Sequence, residues 1–301
     1  MASIEMPRNQ ALALVEPEPV RADSPEALLE GDHTPAVRRA IEHLIRPEMV
    51  FPTLPAATAD VLALANAREA NFRDVDRLVR RDPVLAGRVL SVANSPLYRP
   101  PAPVTSLRMA MLRLGWAILR EVLLQATAEA HVFRTGPRRE LLETRMHAVA
   151  LAHVHSLVAR SCGLDAEHAF ACGLLHDLGR PMLLAALARP GAPPLDPPER
   201  ALVVDLLHTS VGERVARSWN LPEVVQRACR DHHLPSDDGS ASAIGPTTIM
   251  LCEALLASLG AAPEPPPGRL PDAALSIRLG LSDAELAALR ASTEELCRDI
   301  G

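Results

Sequence analysis

The sequence predicts an all-α protein, and three observations carry that expectation. Aromatic residues make up only 2% of the chain and apolar residues 48%, so the core must come mainly from Leu, Ala, Val and Met, which favours helices over strands. Apolar positions recur at helical spacing between Gly, Pro and Asn stops. No segment shows the period-two alternation of a half-buried strand, and no repeat of the solenoid kind is evident.

Residues 1–32 mix proline with acidic side chains and predict a flexible N-terminal tail. A helical pattern begins at Thr34. In "FPTLPAATADVLALANA", Pro52 and Pro55 punctuate the chain before Ala56, Val61, Leu62 and Leu64 fall at helical spacing. "NFRDVDRLVRRDPVLAGRVLSVANS" reads as two short amphipathic helices split at Asp82-Pro83, because proline disfavours helical geometry in the residue before it. The elbow "SPLYRPPAPVTS" then offers Thr105 or Ser106 as cap for the helix "LRMAMLRLGWAILREVLLQATAEAHVF".

After the turn "RTGPRR" a second helical block begins. Its helices are "ELLETRMHAVALAHVHSLVARSCG", "DAEHAFACGLLHDLGRPMLLAALA", "PERALVVDLLHTSVGERVARSWN", "PEVVQRACRDHH" and "TTIMLCEALLASLG". The linker "AAPEPPPG" leads to "PDAALSIRLG" and "SDAELAALRASTEELCRDI", where Ser282 and Glu285 have capping-box spacing. The expected organisation is a tail over 1–32, a helical subdomain over 33–135, a second packed against it over 136–262, and a linker with C-terminal helices over 263–301.

A formal charge of −6 supplies no general basic field, so nucleic acid is not an expected partner. The four arginines Arg77, Arg80, Arg81 and Arg88 read as a solvated helix face. The five cysteines are an odd number without CxxC spacing and read as small buried hydrophobes of a reducing compartment. The N-terminus lacks a signal-peptide pattern and no uncharged apolar run has membrane-spanning length, so a cytoplasmic protein without a membrane partner is expected.

Eight of the eleven histidines lie between positions 147 and 233, inside the second block. Glu143 and His147 are four apart and share a helix face. His176 and Asp177 are adjacent, His208 is mid-helix, His232 and His233 end a helix, and Glu253 interrupts an apolar run. Imidazoles and carboxylates suit divalent ions such as Fe, Mn, Zn or Mg, and a bundle core is a common place to assemble them. Two such ions could polarise a phosphate and acidify a water, with Arg180 in reach of a phosphate oxygen.

Each residue also has a plain structural reading. His208 alone reads as a core histidine on a backbone carbonyl, Glu143 as a solvated carboxylate near Arg145, and Glu253 as an outward residue of an amphipathic helix. His153, His155 and His168 are expected on partly exposed helix faces. Asn94, Ser95 and Tyr98 form a polar patch beside "RPPAPV", either turn and packing residues or the gate of a groove.

The order His147, His176-Asp177, His208, His232-His233 resembles the HD superfamily of metal-dependent phosphohydrolases. "FPTLPAATADVLAL", "RRDPVLAGRVLSVANSPLYRPPAPVTSLRMAMLRLG", "AFACGLLHDLGR" and "HTSVGERVARSWNLPEVVQRACRDHH" narrow the resemblance to the HDOD domain, from about Phe51 to His233. That resemblance implies an HD-like helical bundle in a regulatory, signal-transducing module of bacterial type. It would work through a signalling protein partner, with a pocket able to take a divalent metal or a nucleotide or phosphate ligand.

The resemblance also implies the metal-ligand set Glu143, His147, His176, Asp177, His208, His232, His233 and Glu253, with Glu253 where the superfamily usually has Asp. Arg180 stands where the related HD-GYP phosphodiesterases usually carry Lys. No GYP-like segment follows His233; "LPSDDGSAS" stands there instead. The alternative expectation is an active phosphohydrolase in which Asp177 and Arg180 are catalytic.

Overall fold

The computed structural model describes residues 28–29, 31–46, 72–81, 83–95, 98, 104–164, 168–234, 245–260 and 272–300. "FPTLPAATADVLAL" and most of the elbow lie outside the described residues, as does nearly all of the expected tail. Among the described residues there is no strand. The helices are α1 (Pro35–Ile45), α2 (Phe72–Arg81), α3 (Pro83–Ala93), α4 (Leu107–His131), α5 (Arg138–Ser161) and α6 (Ala169–Leu175). They continue as α7 (Gly179–Leu187), α8 (Pro197–Ser218), α9 (Glu223–Asp231), α10 (Pro246–Ser258), α11 (Asp272–Arg278) and α12 (Asp283–Ile300).

Local chemistry sets many of these boundaries. Thr34 caps α1 through the Val37 amide, Ser106 caps α4 through the Met109 amide, and Asp196 with Glu199 forms a capping box on α8. The Ser282 and Glu285 side chains likewise exchange bonds with each other's backbone amides. Helices α2 and α3 are separate across Asp82-Pro83. Helix α4 kinks at Gly115, whose φ of 71° is in the left-handed region that glycine enters without steric cost.

Among the described residues two large apolar clusters organise the core, beside a small one of Ala159, Leu164 and Ala169. One joins α2 and α3 to α4 through Val75, Val79, Leu85, Val89, Met111, Leu119 and Leu123. The larger gathers α5 to α10 with the C-terminal Leu275, Leu281, Leu286 and Leu289, and takes in Leu124 and Ala128 of α4. The long helix α4 therefore contributes to both.

Helix α1 belongs to the larger cluster, not to its sequence neighbours α2–α4. Its Val37, Ala40, Ile41 and Leu44 are fully buried at i, i+3, i+4 and i+7. Burial is worth roughly 1.5–3 kcal/mol for each of Val37, Ile41 and Leu44, and Arg214 of α8 ties to the Arg46 carbonyl at the helix end.

The segment expected as one helix over "DAEHAFACGLLHDLGRPMLLAALA" is two. A turn at residues 176–178 separates α6 from α7, with the Leu178 amide donating to Leu175 O and the Arg180 amide to Asp177 O. Just after this turn Gly179 lies against the backbone of His208, an approach that leaves no room for a Cβ. Residues Ala169–Leu187 have the length and composition of a membrane span, but 89% of that stretch is buried inside the protein. Cys172, Cys229 and Cys252 are buried and all five cysteines are free thiols.

Candidate metal centre

The turn between α6 and α7 delivers His176 and Asp177 into the interior, where α5, α8, α10 and the end of α9 surround them. His176 and His232 are fully buried, and His208, Asp177 and Glu253 are nearly so. Three rings are fixed in the same way. His176 Nδ1 donates to Gly173 O at 2.8 Å, His208 Nδ1 to Asp205 O at 2.8 Å, and His232 Nδ1 to Ala228 O at 3.0 Å. Each bond places the proton on Nδ1 and leaves the Nε2 lone pair pointing inward.

Those lone pairs converge. His208 Nε2 is 3.3 Å from His232 Nε2, and Asp177 Oδ1 is 3.5 Å from the first and 3.4 Å from the second. A tetrahedral ion with bonds of about 2.0–2.1 Å requires neighbouring donors about 3.3–3.4 Å apart. The triangle has that edge length. His233 Nε2 approaches His208 Nε2 at 2.8 Å on the same side.

On the other side, His176 Nε2 is 3.5 Å from Asp177 Oδ2 and 3.8 Å from Glu253 Oε1, with His147 completing that group. Buried His147 Nδ1, His176 Nε2 and Asp177 Oδ1 have no hydrogen-bond partner. Leaving such atoms unsatisfied costs about 1–3 kcal/mol each, and divalent ions seated on the two sides of Asp177 would satisfy all three. The residues fit a metal.

Electrostatics agree with the donor geometry. Burial drives the imidazoles of His147 and His176 down to about 4 and that of His208 to about 3, so all three are neutral lone-pair donors at neutral pH. Burial pushes the Asp177 carboxyl up, but Arg180 and the surrounding histidines override it and hold it well below the usual carboxylate range. Asp177 is thus an anion facing both groups of histidines.

Arg180 points at carboxylates. Its Nε donates to Asp177 Oδ2 at 2.8 Å and its NH1 to Asp205 Oδ1 at 2.7 Å. Asp205 was not legible as a site residue, although it precedes His208 by three and therefore shares its face.

The remaining expected residues distribute as follows. His147, His176, Asp177, His208, His232, His233 and Glu253 come together. Glu143 does not: it is exposed one turn from His147 and takes a 2.8 Å bond from Arg139. Glu253 points inward, its side chain only 10% exposed.

His155 is fully buried instead of lying on an exposed face, because its Nδ1 reaches Ala169 O at 2.9 Å and its Nε2 reaches Thr248 Oγ1 at 2.8 Å. Asn94 clasps the elbow, donating to Leu90 O and Val104 O and accepting from the Val104 amide. Arg77 and Arg80 pair with Asp74 and Asp76 within α2.

The sequence matches the HDOD domain over residues 51–235. An uncharacterized protein of Treponema pallidum is 26% identical over 200 residues, which is 61% of this chain and 37% of that protein. Ribonuclease Y of Aquifex aeolicus is 32% identical over 103 residues, 34% of this chain and 14% of the enzyme. This chain therefore spans well under half the length of either relative.

Among solved structures, an HDOD domain protein with unknown function from Geobacter sulfurreducens superposes with a TM-score of 0.63 at 22% identity, over 87% of this chain and 98% of that one. A candidate metal-dependent phosphohydrolase from Shewanella amazonensis gives 0.62 at 18% identity, over 92% and 99%. At these identities the shared property is the all-helical fold.

Proposed function

The chain belongs to the HDOD domain family, whose match covers more than half of it, and from that premise we propose a signal-transduction module that acts through protein contacts and senses a divalent metal ion, or the phosphate of a nucleotide, in its buried His–Asp pocket. The supporting observation is that a donor triangle of ion-sized edges is almost closed to solvent: His232 is 0%, His208 3% and Asp177 7% exposed. A site so enclosed favours the small ion over the nucleotide phosphate, and over a bulky phosphodiester with an attacking water beside it.

When bound, Fe, Mn, Zn or Mg would supply Lewis acidity and fixed positive charge at this point. Asp177, His208 and His232, with His233, would hold it. These donors come from the α6–α7 turn, α8 and the end of α9, so filling the site adds a link among three segments already joined by packing and by the Arg180–Asp205 and Arg230–Glu213 pairs. Binding to this arrangement over any looser one would stabilise it by mass action, and a partner reading the surface of α8 or α9 would register the difference.

The alternative is a metal-dependent phosphohydrolase with Asp177 and Arg180 as catalytic residues. The observation in its favour is the nearly complete donor set. Arg180, committed to two carboxylates, weighs against its use as a phosphate ligand.

One experiment separates the readings. Protein purified without chelator is assayed for bound metal and for hydrolysis of bis(p-nitrophenyl) phosphate with added Mn²⁺, beside Asp177→Ala. The sensor reading expects metal uptake lost in the variant, an unfolding temperature raised by Mn²⁺, and no turnover. Turnover abolished in Asp177→Ala establishes the hydrolase instead, and protein that neither binds Mn²⁺ nor is stabilised by it ends the metal-sensor reading.

A further inference from the structure

The two halves of the histidine cluster share Asp177 but do not share it equally. Oδ1 faces His208 and His232 and has no hydrogen-bond partner. Oδ2 faces His176 but already accepts a 2.8 Å bond from Arg180 Nε. A guanidinium is permanently charged, so it places a fixed cation against the oxygen that an ion beside His147, His176 and Glu253 would use. The spacings around Oδ1 are 3.3–3.5 Å, with His233 2.8 Å from His208; on the other side His176 stands 3.5 Å from Oδ2 and 3.8 Å from Glu253.

We propose that Arg180, anchored from the outer side by Asp205, is a resident cation that divides the cluster into one strong and one weak metal position. This rests on the metal-binding reading above and goes further, assigning the inequality to a side chain outside the ligand set. The strong position is Asp177 Oδ1, His208, His232 and His233. The weak one is His147, His176 and Glu253, where a second ion must share Oδ2 with the guanidinium or displace it.

Asp205 sets how firmly Arg180 lies on Asp177. Its carboxylate takes NH1 at 2.7 Å while its backbone carbonyl holds the His208 ring. One residue thereby steers the counter-charge of Asp177 and the orientation of a ligand. Removing only the charge of Asp205 weakens the outer anchor of the guanidinium, so it settles more fully on the carboxylate the first ion needs. Outer-shell changes of this kind shift metal affinity by about 10–100-fold.

The test is calorimetric titration of metal-stripped full-length protein with MnCl₂, with circular dichroism as the check of folding. The unsubstituted protein is expected to show one strong step, with a second at least tenfold weaker or absent. Arg180→Gln should strengthen the second step by about 10–100-fold. Asp205→Asn, at a carboxylate 59% exposed, should weaken the first step roughly tenfold.

Two equal steps in the unsubstituted protein, or an Arg180→Gln titration that matches it, overturns the proposal. If Arg180→Gln fails to fold, an Asp205→Asn titration identical to the unsubstituted protein overturns it equally. Uptake by Arg180→Gln alone overturns it as well, because the unsubstituted protein would then lack the strong position. If neither protein takes up Mn²⁺, the metal-binding reading fails and this inference fails with it.

Discussion

Replacing Gly179 with alanine should damage the metal centre without touching a ligand. A Cβ built at Gly179 would fall 1.9 Å from His208 O, 2.7 Å from His208 C and 2.8 Å from His208 Cα. A carbon normally keeps about 3.3–3.6 Å from a carbonyl oxygen, so α7 and α8 must separate locally by roughly 1.4 Å. The obstacle is backbone on both sides, since Gly212 of α8 meets the Gly179 amide nitrogen at 3.2 Å when given a Cβ.

Overpacking of this kind costs about 1–3 kcal/mol, which lowers the melting temperature by roughly 2–12 °C at about 2–4 °C per kcal/mol for a protein of this general size. The displacement also moves His208 relative to Asp177, whose atoms now lie 3.5 Å apart, whereas metal–ligand distances tolerate only about 0.2 Å. Mn²⁺ affinity should therefore fall at least tenfold. Gly87→Ala is the control: nothing lies within 4 Å of its Cβ in α3, and it should stabilise by about 0.4–1 kcal/mol with metal binding unchanged. Differential scanning fluorimetry and Mn²⁺ titration read both effects. A Gly179→Ala protein that melts within 1 °C of the parent and binds Mn²⁺ equally would refute the reasoning.

Further outcomes follow from burial and pairing. His147, His153, His155 and His176 titrate near 4 and His208 near 3 because burial disfavours their charged forms. Their folded values lie below the unfolded value of about 6.5, so the stability they contribute is complete above that pH and is lost as pH falls through the window toward 4. A single such histidine accounts for at most about 2 kcal/mol at pH 5. The urea midpoint should drop clearly between pH 7 and pH 5, and a flat profile would mean that these rings are solvated. Glu143→Ala should leave Mn²⁺ affinity within about twofold, since an exposed ion pair contributes little; a tenfold loss would place Glu143 among the ligands. Thr248→Val should cost about 1–3 kcal/mol by stranding buried His155 Nε2, and an unchanged urea midpoint would show that the bond carries no stability.

The helices were legible because their signals are local. Proline after Asp82, the Ser106 cap, the Ser282–Glu285 box and the i, i+3, i+4, i+7 stripe of α1 act within a few residues of their own position, so sequence spacing is enough to find them. The donor types were legible for a similar reason, since few uses other than ligation gather so many histidines and acids in one helical block. Glu143 shows where spacing stops: it shares a helix with His147, but nothing local decides that Arg139 takes its carboxylate at the surface.

By itself the sequence determined an all-α chain of the HDOD family and the pool of imidazoles and carboxylates available to it. Only the tertiary structure decided which of them meet, that a turn divides the expected helix at His176-Asp177, that Gly179 packs against His208, that His155 is buried against Thr248, and that Arg180 faces Asp177 and Asp205. Residue types and periodicity follow from short-range propensity and burial. The direction of a lone pair or the sharing of a carboxylate between two cations depends on groups tens of residues apart, brought together only when the helices pack.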